Sequence, residues 1–249
     1  MHARFHVPGL MAGQRLVDLP PDEAAHLSRV LRLRAGAEVR VFDGRGRQHR
    51  GRVHLVQGSR VVIEVGEAVT AAPEPAVSLT LVQAVPKGDA MDQIVRDAVM
   101  MGVAGIVPLV SDRTEVTAKR IQASGRVGRW QRIAVASAKQ CGRAVVPTVH
   151  EPCALANCLR DVPAERRYLL AEPGLMAAAP SGIGDLRSSA GPASALLIVG
   201  PEGGWTDAEA AVAERHGCVA LTLGGRTLRA DAAALVGITA LQCVFGDLG

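Results

Sequence analysis

Two strand–loop–helix units follow each other directly near the end of the chain, and they constrain the fold more than any other feature. The apolar run Leu196–Val199 ends in the glycine-rich turn Gly200–Gly204, and the apolar run Val219–Leu223 ends in Gly224-Gly225. Each turn leads into a helix-forming segment. In open α/β sheets, ligands bind at such turns, where strands end at their carboxyl ends. We therefore expect the two strands to be neighbours and the active site to lie at their ends.

The helices that follow these turns have recognisable limits. Thr206 and Glu209 have the Thr-x-x-Glu spacing of a capping box, and Gly217 is a typical helix end. The second helix is apolar and begins near Asp231. Both predictions favour a sheet covered by helices.

Composition favours a globular protein with substantial cores. The chain has 249 residues, of which 48% are hydrophobic but only 2% aromatic. No apolar run has the length of a membrane span, and residues 1–5 lack the apolar region of a secretory signal. We expect a soluble, cytoplasmic protein. The five cysteines are odd in number and scattered, which argues against a disulfide framework or a zinc site and favours reduced thiols.

Positive charge is concentrated in the first third of the chain. Residues 1–73 hold 11 arginines, no lysine and 7 acidic groups, whereas the remaining residues are neutral. Arginine pairs with phosphate through two donors, so a basic module suits a polyanionic partner. An ordinary solvated surface is the alternative reading of the same pattern.

A Pro/Ala-rich linker at residues 70–76 separates two regions and predicts domains at 1–72 and 73–249. Before the linker we predict the strands Glu38–Phe42, Arg52–Val56 and Val61–Val65. One helix, Asp22–Arg34, precedes them. This pattern predicts a small β-barrel-like domain with one basic helix.

That helix has two distinct predicted faces. Leu27, Val30 and Leu31 form an apolar stripe with helical spacing, and Arg29 and Arg32 lie together on another face. The spacing therefore predicts a helix with separate apolar and basic faces.

After the linker, strands and helices alternate, which predicts a mostly parallel sheet covered by helices. The predicted elements before the two opening units are strand Val77–Ala84, helix Asp89–Met101, strand Gly105–Val110, a helix containing Trp130–Lys139, and strand Arg167–Ala171.

Several common chemistries do not fit the glycine-rich turns. Residues 200–204 do not match the dinucleotide-binding fingerprint, and Pro201 lacks the N–H that a phosphate-binding turn needs. The chain has no phosphate-binding P-loop motif and no serine nucleophile elbow. Glycines allow the main chain to approach a ligand closely, and Val199, Leu221, Leu223 and Leu228 can sandwich a flat ring. The turns therefore favour a nucleoside without a polyphosphate.

The chain resembles the bacterial 16S ribosomal RNA uridine-N3 methyltransferase family, which belongs to the SPOUT superfamily of S-adenosylmethionine enzymes. The similarity is strongest at Ile198–Trp205 and Leu223–Arg229. It extends over nearly the whole chain, through His26–Leu33, Phe42–Gly44, Pro86–Asp89, Met91–Asp92, Trp130–Ile133, Gln140–Arg143 and Phe245–Leu248.

The resemblance implies an α/β fold with a carboxyl-terminal trefoil-knotted methyltransferase domain and a small PUA-like amino-terminal β-barrel. It implies a homodimer in which the knotted domains meet, and the apolar helix Ala232–Val244 is a candidate for that contact. The implied partner is 16S ribosomal RNA or the small ribosomal subunit, with no membrane and no metal. The residues implied to bind S-adenosylmethionine are Leu170, Glu172, Val199, Gly200, Glu202, Gly203, Leu221, Leu223, Gly224 and Leu228.

The resemblance also suggests roles for charged residues. Arg226 and Arg229 would stabilise negative charge that develops on the uracil oxygens. Asp231 would either accept the N3 proton or cap the last helix. The predicted RNA-binding residues are Arg29, Arg32 and Arg34. They would bind phosphates at a distance from the reacting base and so position the RNA.

Five positions depart from the family pattern. Ala230-Asp231-Ala232 replaces the usual Thr-Glu-Thr, and Lys139 and Met100 stand where glutamate is common. Two other functions stay open: a non-catalytic RNA-binding or ribosome-assembly protein on the same fold, and a SPOUT enzyme with another RNA target.

Overall fold

The computed structural model describes residues 2–171, 175–176, 180–187 and 190–249. These residues form two compact units. The first comprises Met1–Glu74 and Val135–Val146, and the second comprises Pro75–Ala134 and Pro147–Gly249. The predicted division between residues 72 and 73 stays a prediction, and the structure adds that a segment distant in sequence packs within the first unit.

The first unit is built on a five-stranded sheet in the order β1-β3-β4-β5-β2. Strands β1 and β3 are parallel and the other neighbours are antiparallel. Its core includes Phe5, Val41 and Ile63, each with no exposed surface. The three predicted strands are confirmed, and β1 and β2 were not predicted because they are too short to show a pattern. The strands are β1 Ala3–His6, β2 Leu16–Asp18, β3 Glu38–Phe42, β4 Gln48–Gln57 and β5 Arg60–Ala68.

The predicted helix Asp22–Arg34 is wrong in its second half. Helix α1 covers Pro21–Ala25 and continues as one π-helical segment, His26–Val30. The N–H of Leu31 donates to the carbonyl of His26 at 3.0 Å, the five-residue spacing of a π-helix. This wider turn rotates the following side chains, so that Leu27 is buried while Val30 and Leu31 are 66% and 40% exposed. The expected apolar stripe does not form, and Arg32 does not share a helix face with Arg29.

The segment Val135–Val146 is attached to the first unit by buried polar contacts. Arg4 donates to the carbonyls of Ala138 at 2.6 Å, Lys139 at 2.9 Å and Arg143 at 2.8 Å. The carbonyls of Ala138 and Lys139 lie at the end of α4, Arg126–Cys141, where backbone acceptors are unsatisfied and a cation is favourable, and that of Arg143 follows the helix. Lys139, one of the departures from the family pattern, pairs with Glu23 at 2.7 Å. The substituted charge therefore has an opposite charge beside it.

The second unit contains a six-stranded, fully parallel sheet in the order β11-β9-β10-β6-β7-β8. The predicted alternation of strands and helices is confirmed. The strands are β6 Ser78–Ala84, β7 Gly105–Leu109, β8 Thr148–Val149, β9 Arg166–Leu170, β10 Ser194–Val199 and β11 Val219–Leu221. The helices are α2 Ala90–Met100, α3 Ala118–Ala123, the part of α4 before Val135, α5 Leu155–Asp161, α6 Ile183–Leu186, α7 Asp207–Arg215 and α8 Ala230–Phe245.

The strands of the two opening units are not neighbours, contrary to the prediction. Strand β9 lies between β10 and β11 and is hydrogen-bonded to both. Consecutive parallel strands are joined by a crossover, whose length allows the second strand to pass over another strand. Hydrophobic periodicity cannot reveal that order.

Helix α8 packs closely on the sheet because of one glycine. A Cβ atom on Gly237 would lie 2.9 Å from Leu197 and 3.2 Å from Leu170. The helix therefore covers the strands that carry the predicted site. In the described part of the chain, no helix has both the length and the apolar character needed to cross a membrane. The trefoil knot stays a prediction.

Candidate functional site

Three predicted binding residues lie at the ends of three adjacent strands. Leu170, Val199 and Leu221 are the last residues of β9, β10 and β11. The N–H of Ala171 donates to the carbonyl of Leu221 at 3.2 Å, which extends the contact between two of these strands beyond the ladder. The structure therefore brings these residues together at the carboxyl edge of the sheet, where α/β proteins place ligands.

The turn Gly200–Gly204 is packed against Trp205. A Cβ atom on Gly200 would lie 2.9 Å from the indole, and the indole N–H donates to the carbonyl of Leu170 at 2.9 Å. Trp205 is only 7% exposed. The sequence predicted that Gly200 leaves space for a ligand to approach the main chain. In the structure, the side chain of Trp205 occupies that space. Trp205 thereby connects the turn to the end of β9.

The outer part of the turn contacts the loops after β6 and β7. Arg113 donates to the carbonyl of Gly203 at 2.5 Å, and the backbone N–H of Lys87 donates to Glu202 at 3.2 Å. Lys87 also pairs with Glu115 at 2.6 Å. None of these contacts was predicted from the sequence. Lys87 belongs to a motif shared with the family, but nothing in the pattern around Arg113 indicated its partner.

Helix α7 begins with the predicted capping box. The N–H of Glu209 donates to the Thr206 hydroxyl at 3.2 Å, and the N–H of Thr206 donates to the Glu209 carboxylate at 2.9 Å. The capping box is confirmed. The second carboxylate oxygen of the buried Glu209 accepts the N–H of Asp112 at 3.0 Å. The loop after β7 is therefore joined to this helix as well as to the turn.

The loop after β11 exposes bare backbone. A Cβ atom on Gly224 or Gly225 would meet nothing within 4 Å, and Gly224 has a φ of +97°, which favours glycine. Leu223 and Leu228 are half-buried on either side, and Arg226 is exposed. This loop supplies an open main chain, apolar side chains and a cation next to the strand ends.

Arg229 and Asp231 lie at the start of α8. Arg229 occupies the N-cap position with its side chain 89% exposed, and its Nε lies 3.8 Å from the Asp231 carboxylate. Asp231 is therefore not the N-cap residue. Its carboxylate accepts the N–H of Ala232 at 2.9 Å in the first turn, where negative charge is favourable.

One segment near the site was not predicted. The N–H of Ser181 donates to the carbonyl of Ala220 at 2.8 Å, and the Ser181 carbonyl accepts from the N–H of Thr222 at 3.0 Å. Ser181 thereby pairs with the outer edge of β11. Glu172, a predicted binding residue, lies outside the described residues.

The predicted RNA-binding arginines lie on the surface of the first unit. Arg29, Arg32 and Arg34 are all exposed, and within the described ranges none has an ion pair. Arg32 has a φ of +52°, which is uncommon for a residue with a side chain. Their charges are available to a partner.

The cysteines of the second unit have free thiols, and two of these cysteines are buried. Cys158 and Cys218 are 1% and 8% exposed, and burial raises the pKa of Cys218 to about 11. Among the residues that the structure describes, no three His, Cys, Asp or Glu side chains are grouped to hold a metal ion.

The strand ends supply apolar side chains, and the chain between β11 and α8 supplies exposed backbone and two exposed arginines. Such a site can hold a flat, uncharged ring between apolar side chains and main-chain groups. The arginines can stabilise negative charge on a second molecule that approaches from solvent.

Family models match both regions of the chain. A model described as an RNA methyltransferase domain matches residues 73–242, and one described as an RNA methyltransferase PUA domain matches residues 19–65. The first alone covers more than half of the chain.

Individual proteins align over nearly the full length of this chain. Ribosomal RNA small subunit methyltransferase E from Synechocystis sp. is 32% identical over 92% of this chain and 73% of its own length. The crystal structure of ribosomal RNA small subunit methyltransferase E from Neisseria gonorrhoeae, bound to S-adenosylmethionine, is 33% identical with a TM-score of 0.88. A Legionella pneumophila protein solved with bound S-adenosylmethionine is 27% identical with a TM-score of 0.90. Each of the two structural alignments covers 100% of this chain and 100% of the other chain.

Proposed function

This chain belongs to the RNA methyltransferase family, and we propose that it transfers a methyl group from S-adenosylmethionine to N3 of a uridine in 16S ribosomal RNA. The observation that carries the proposal is the meeting of Leu170, Val199 and Leu221 at one edge of the sheet, with glycine-rich turns beside them. Full-length similarity to a ribosomal RNA small subunit methyltransferase E that binds S-adenosylmethionine supports it.

The residues at this edge fit the methyl donor. Bare backbone at Gly224 and Gly225 suits main-chain recognition, and Leu223 and Leu228 suit an adenine ring between apolar side chains. S-adenosylmethionine supplies an electrophilic methyl group carried on positively charged sulfur. The further residues that we assign to holding it are Leu170, Val199, Gly200, Glu202, Gly203, Leu221 and, outside the described residues, Glu172.

The two exposed arginines act on the base. Loss of the N3 proton leaves negative charge on the uracil oxygens, and Arg226 and Arg229 stabilise that charge. Because the methyl group is already reactive, correct positioning of the base supplies much of the acceleration. N3 lies on the Watson–Crick edge, so the target uridine is bound unpaired or extruded from its stack.

Asp231 has two candidate roles, and its contacts support a role in stabilising the start of α8. Its carboxylate accepts a backbone N–H in the first turn of α8 and lies near Arg229. We therefore assign Asp231 to stabilising the helix start. Acceptance of the N3 proton, directly or through water, is the competing role.

The proposal includes two partners. The substrate is 16S ribosomal RNA, free or in the small ribosomal subunit, and Arg29, Arg32 and Arg34 bind its phosphates. A ribosomal substrate implies a cytoplasmic enzyme. The second partner is another copy of the chain, bound through α8, where Leu235 and Val236 are 37% and 42% exposed. A monomeric mass in light scattering at micromolar concentration would argue against the dimer.

Calorimetry and turnover test the assignments. We expect the protein to bind S-adenosylmethionine, and we expect Arg229→Ala to lose turnover by roughly a hundredfold, typical of a missing electrostatic stabiliser, while cofactor affinity changes little. Asp231→Asn keeps an acceptor for the backbone N–H but cannot take up a proton, so it should retain turnover within about threefold.

Three results would contradict this account. Absence of measurable heat at high S-adenosylmethionine concentration would argue for the non-catalytic RNA-binding alternative. Near-normal turnover of Arg229→Ala would remove Arg229 from the mechanism. A large loss in Asp231→Asn, with unchanged stability, would make Asp231 the proton acceptor.

A further inference from the structure

Two consecutive residues after β7 hold the Gly200–Gly204 turn and the start of the helix that follows it. Arg113 contacts the turn itself, and Asp112 contacts the helix that follows. Both belong to the second unit and neither was part of the predicted site. Their contacts raise the question of what keeps the turn in one conformation.

The contact between Arg113 and Gly203 is complementary in shape and in hydrogen bonding. The guanidinium donates to the Gly203 carbonyl at 2.5 Å. A Cβ atom on Gly203 would lie 3.3 Å from both the Cβ and the Cδ of Arg113, tighter than ordinary contact. The arginine side chain therefore lies along the face of Gly203 that has no side chain, and it fixes the direction of the carbonyl.

Asp112 anchors the start of α7, directly after the turn. Its backbone N–H donates to the buried Glu209 at 3.0 Å, and its carboxylate accepts from the Thr206 hydroxyl at 3.0 Å. Thr206 and Glu209 are the two members of the capping box of α7. The start of the helix is thus held to the same short segment that holds Gly203.

Trp205 lies between these two anchors and contacts the opposite side. Its indole N–H donates to the carbonyl of Leu170, the last residue of β9, and its ring packs under Gly200. A movement of the turn at Gly203 would therefore be transmitted towards the strand ends where we place the methyl donor.

We propose that Arg113 is a positioning residue for the methyl donor: by holding the Gly203 carbonyl, it keeps the Gly200–Gly204 turn in the conformation that S-adenosylmethionine needs. This inference rests on the proposed function. Arg113 acts through the turn and contacts neither the methyl donor nor the RNA.

The exposure of Arg113 makes the inference testable. The side chain lies at the surface, where a single hydrogen bond contributes little to the stability of the fold. Removal of the side chain should therefore leave the protein folded. Without this side chain the turn is less restrained. Binding of S-adenosylmethionine then has to order the turn, which lowers the affinity for S-adenosylmethionine.

The experiment compares Arg113→Ala, Arg113→Lys and a control, Arg120→Ala, which removes an exposed arginine on α3. We measure the Kd for S-adenosylmethionine by calorimetry, the KM values for S-adenosylmethionine and RNA, and the melting temperature. Arg113→Ala should raise the Kd and KM for S-adenosylmethionine roughly tenfold, leaving the KM for RNA and the melting temperature nearly unchanged. Arg113→Lys, which retains a donor, should recover part of the affinity, and Arg120→Ala should behave as the unmodified protein.

Fluorescence gives an independent reading of the turn. In Arg113→Ala the emission of Trp205 should shift, against an unchanged contribution from the buried Trp130. A Trp205→Phe background identifies which tryptophan is responsible.

Two results would overturn the inference while leaving the proposed function intact. In one, Arg113→Ala binds S-adenosylmethionine as tightly as the unmodified protein. In the other, only the KM for RNA rises, which would make Arg113 an RNA contact. If the unmodified protein itself failed to bind S-adenosylmethionine, the proposed function would fall first and the inference with it.

Discussion

Arg32 shows how a single residue can combine a conformational cost with a proposed function. Its φ of +52° lies in the left-handed region, where a side chain costs roughly 1 kcal/mol or more. The residue directly follows the π-helical segment and Leu31, and its charge is exposed. Strained residues persist where the surrounding structure or a function requires them. The proposed contact with an RNA phosphate supplies such a function.

Arg32→Gly should therefore have opposite effects on stability and on RNA binding. Glycine tolerates the left-handed conformation, so the free energy of unfolding should rise by about 0.5–1 kcal/mol. Loss of one phosphate contact should weaken RNA binding and reduce its logarithmic salt slope by about 1. Urea denaturation and filter binding over a range of salt concentrations measure the two effects.

Arg34→Gly is the matched control for this prediction. It removes the same charge from a residue without a positive φ, so it should not stabilise the protein. An unchanged salt slope in Arg32→Gly would exclude Arg32 from the RNA contact.

Among the structural elements, the loop after β11 carries two glycines with open space around them. It runs from Thr222 to Arg229 before α8 begins, and the Thr222 hydroxyl donates to the carbonyl of Gly224 at 3.3 Å. Gly224 and Gly225 have equal space around them but different backbone conformations. That difference separates the effect of a side chain from the effect of backbone strain.

Gly224→Ala should weaken S-adenosylmethionine binding more than Gly225→Ala. Alanine at residue 224 opposes the positive φ, which costs about 1–2 kcal/mol and favours another loop conformation. Alanine at residue 225 meets no such cost. Calorimetry should show roughly a tenfold weaker affinity for the first variant, and equal affinities would mean that the loop does not shape the cofactor site.

The elements also show what sequence patterns can and cannot predict. The capping box of Thr206 and Glu209 was predictable because it depends on side chains three residues apart. The position of β9 between β10 and β11 was not, because strand order depends on contacts between distant segments. The π-helical turn at His26–Val30 was missed because its residues have the same apolar spacing as an α-helix.

The site was predictable to a similar extent. Leu170, Val199 and Leu221 follow from strand ends and family resemblance, and the structure brings them together. The contact of Arg113 with Gly203 joins residues 90 positions apart, and no local pattern reports it. The sequence also could not distinguish a glycine that leaves space for a ligand from one that leaves space for a protein side chain. Gly200 is of the second kind, because it makes room for Trp205.

For the molecule as a whole, the segment Val135–Val146 is a conspicuous feature, because it packs within the first unit although the linker lies far before it in sequence. Glu23 and Lys139 join α1 to this segment at 2.7 Å, with side chains only 11% and 18% exposed. Lys139 also lies 5.4 Å from the centre of the Phe5 ring. The pair should therefore contribute to holding the first unit together.

Lys139→Glu should destabilise the first unit by roughly 2–4 kcal/mol, because two partly buried carboxylates would then face each other. The double variant Glu23→Lys with Lys139→Glu restores the opposite charges and should recover about half of the loss, since the cation over Phe5 is not restored. Hydrogen exchange of the β3 and β4 amides measures the effect. Additive effects of the two substitutions would show that the charges do not interact.

The central claim is methylation of uridine N3 in 16S ribosomal RNA. The direct measurement incubates the purified protein and deuterium-labelled S-adenosylmethionine with small ribosomal subunits, or free 16S RNA, from a strain lacking this modification, followed by nucleoside mass spectrometry. We predict labelled 3-methyluridine, formed roughly a hundredfold more slowly by Arg229→Ala. Label in a ribose or in another base, or no label with either substrate, would contradict the account.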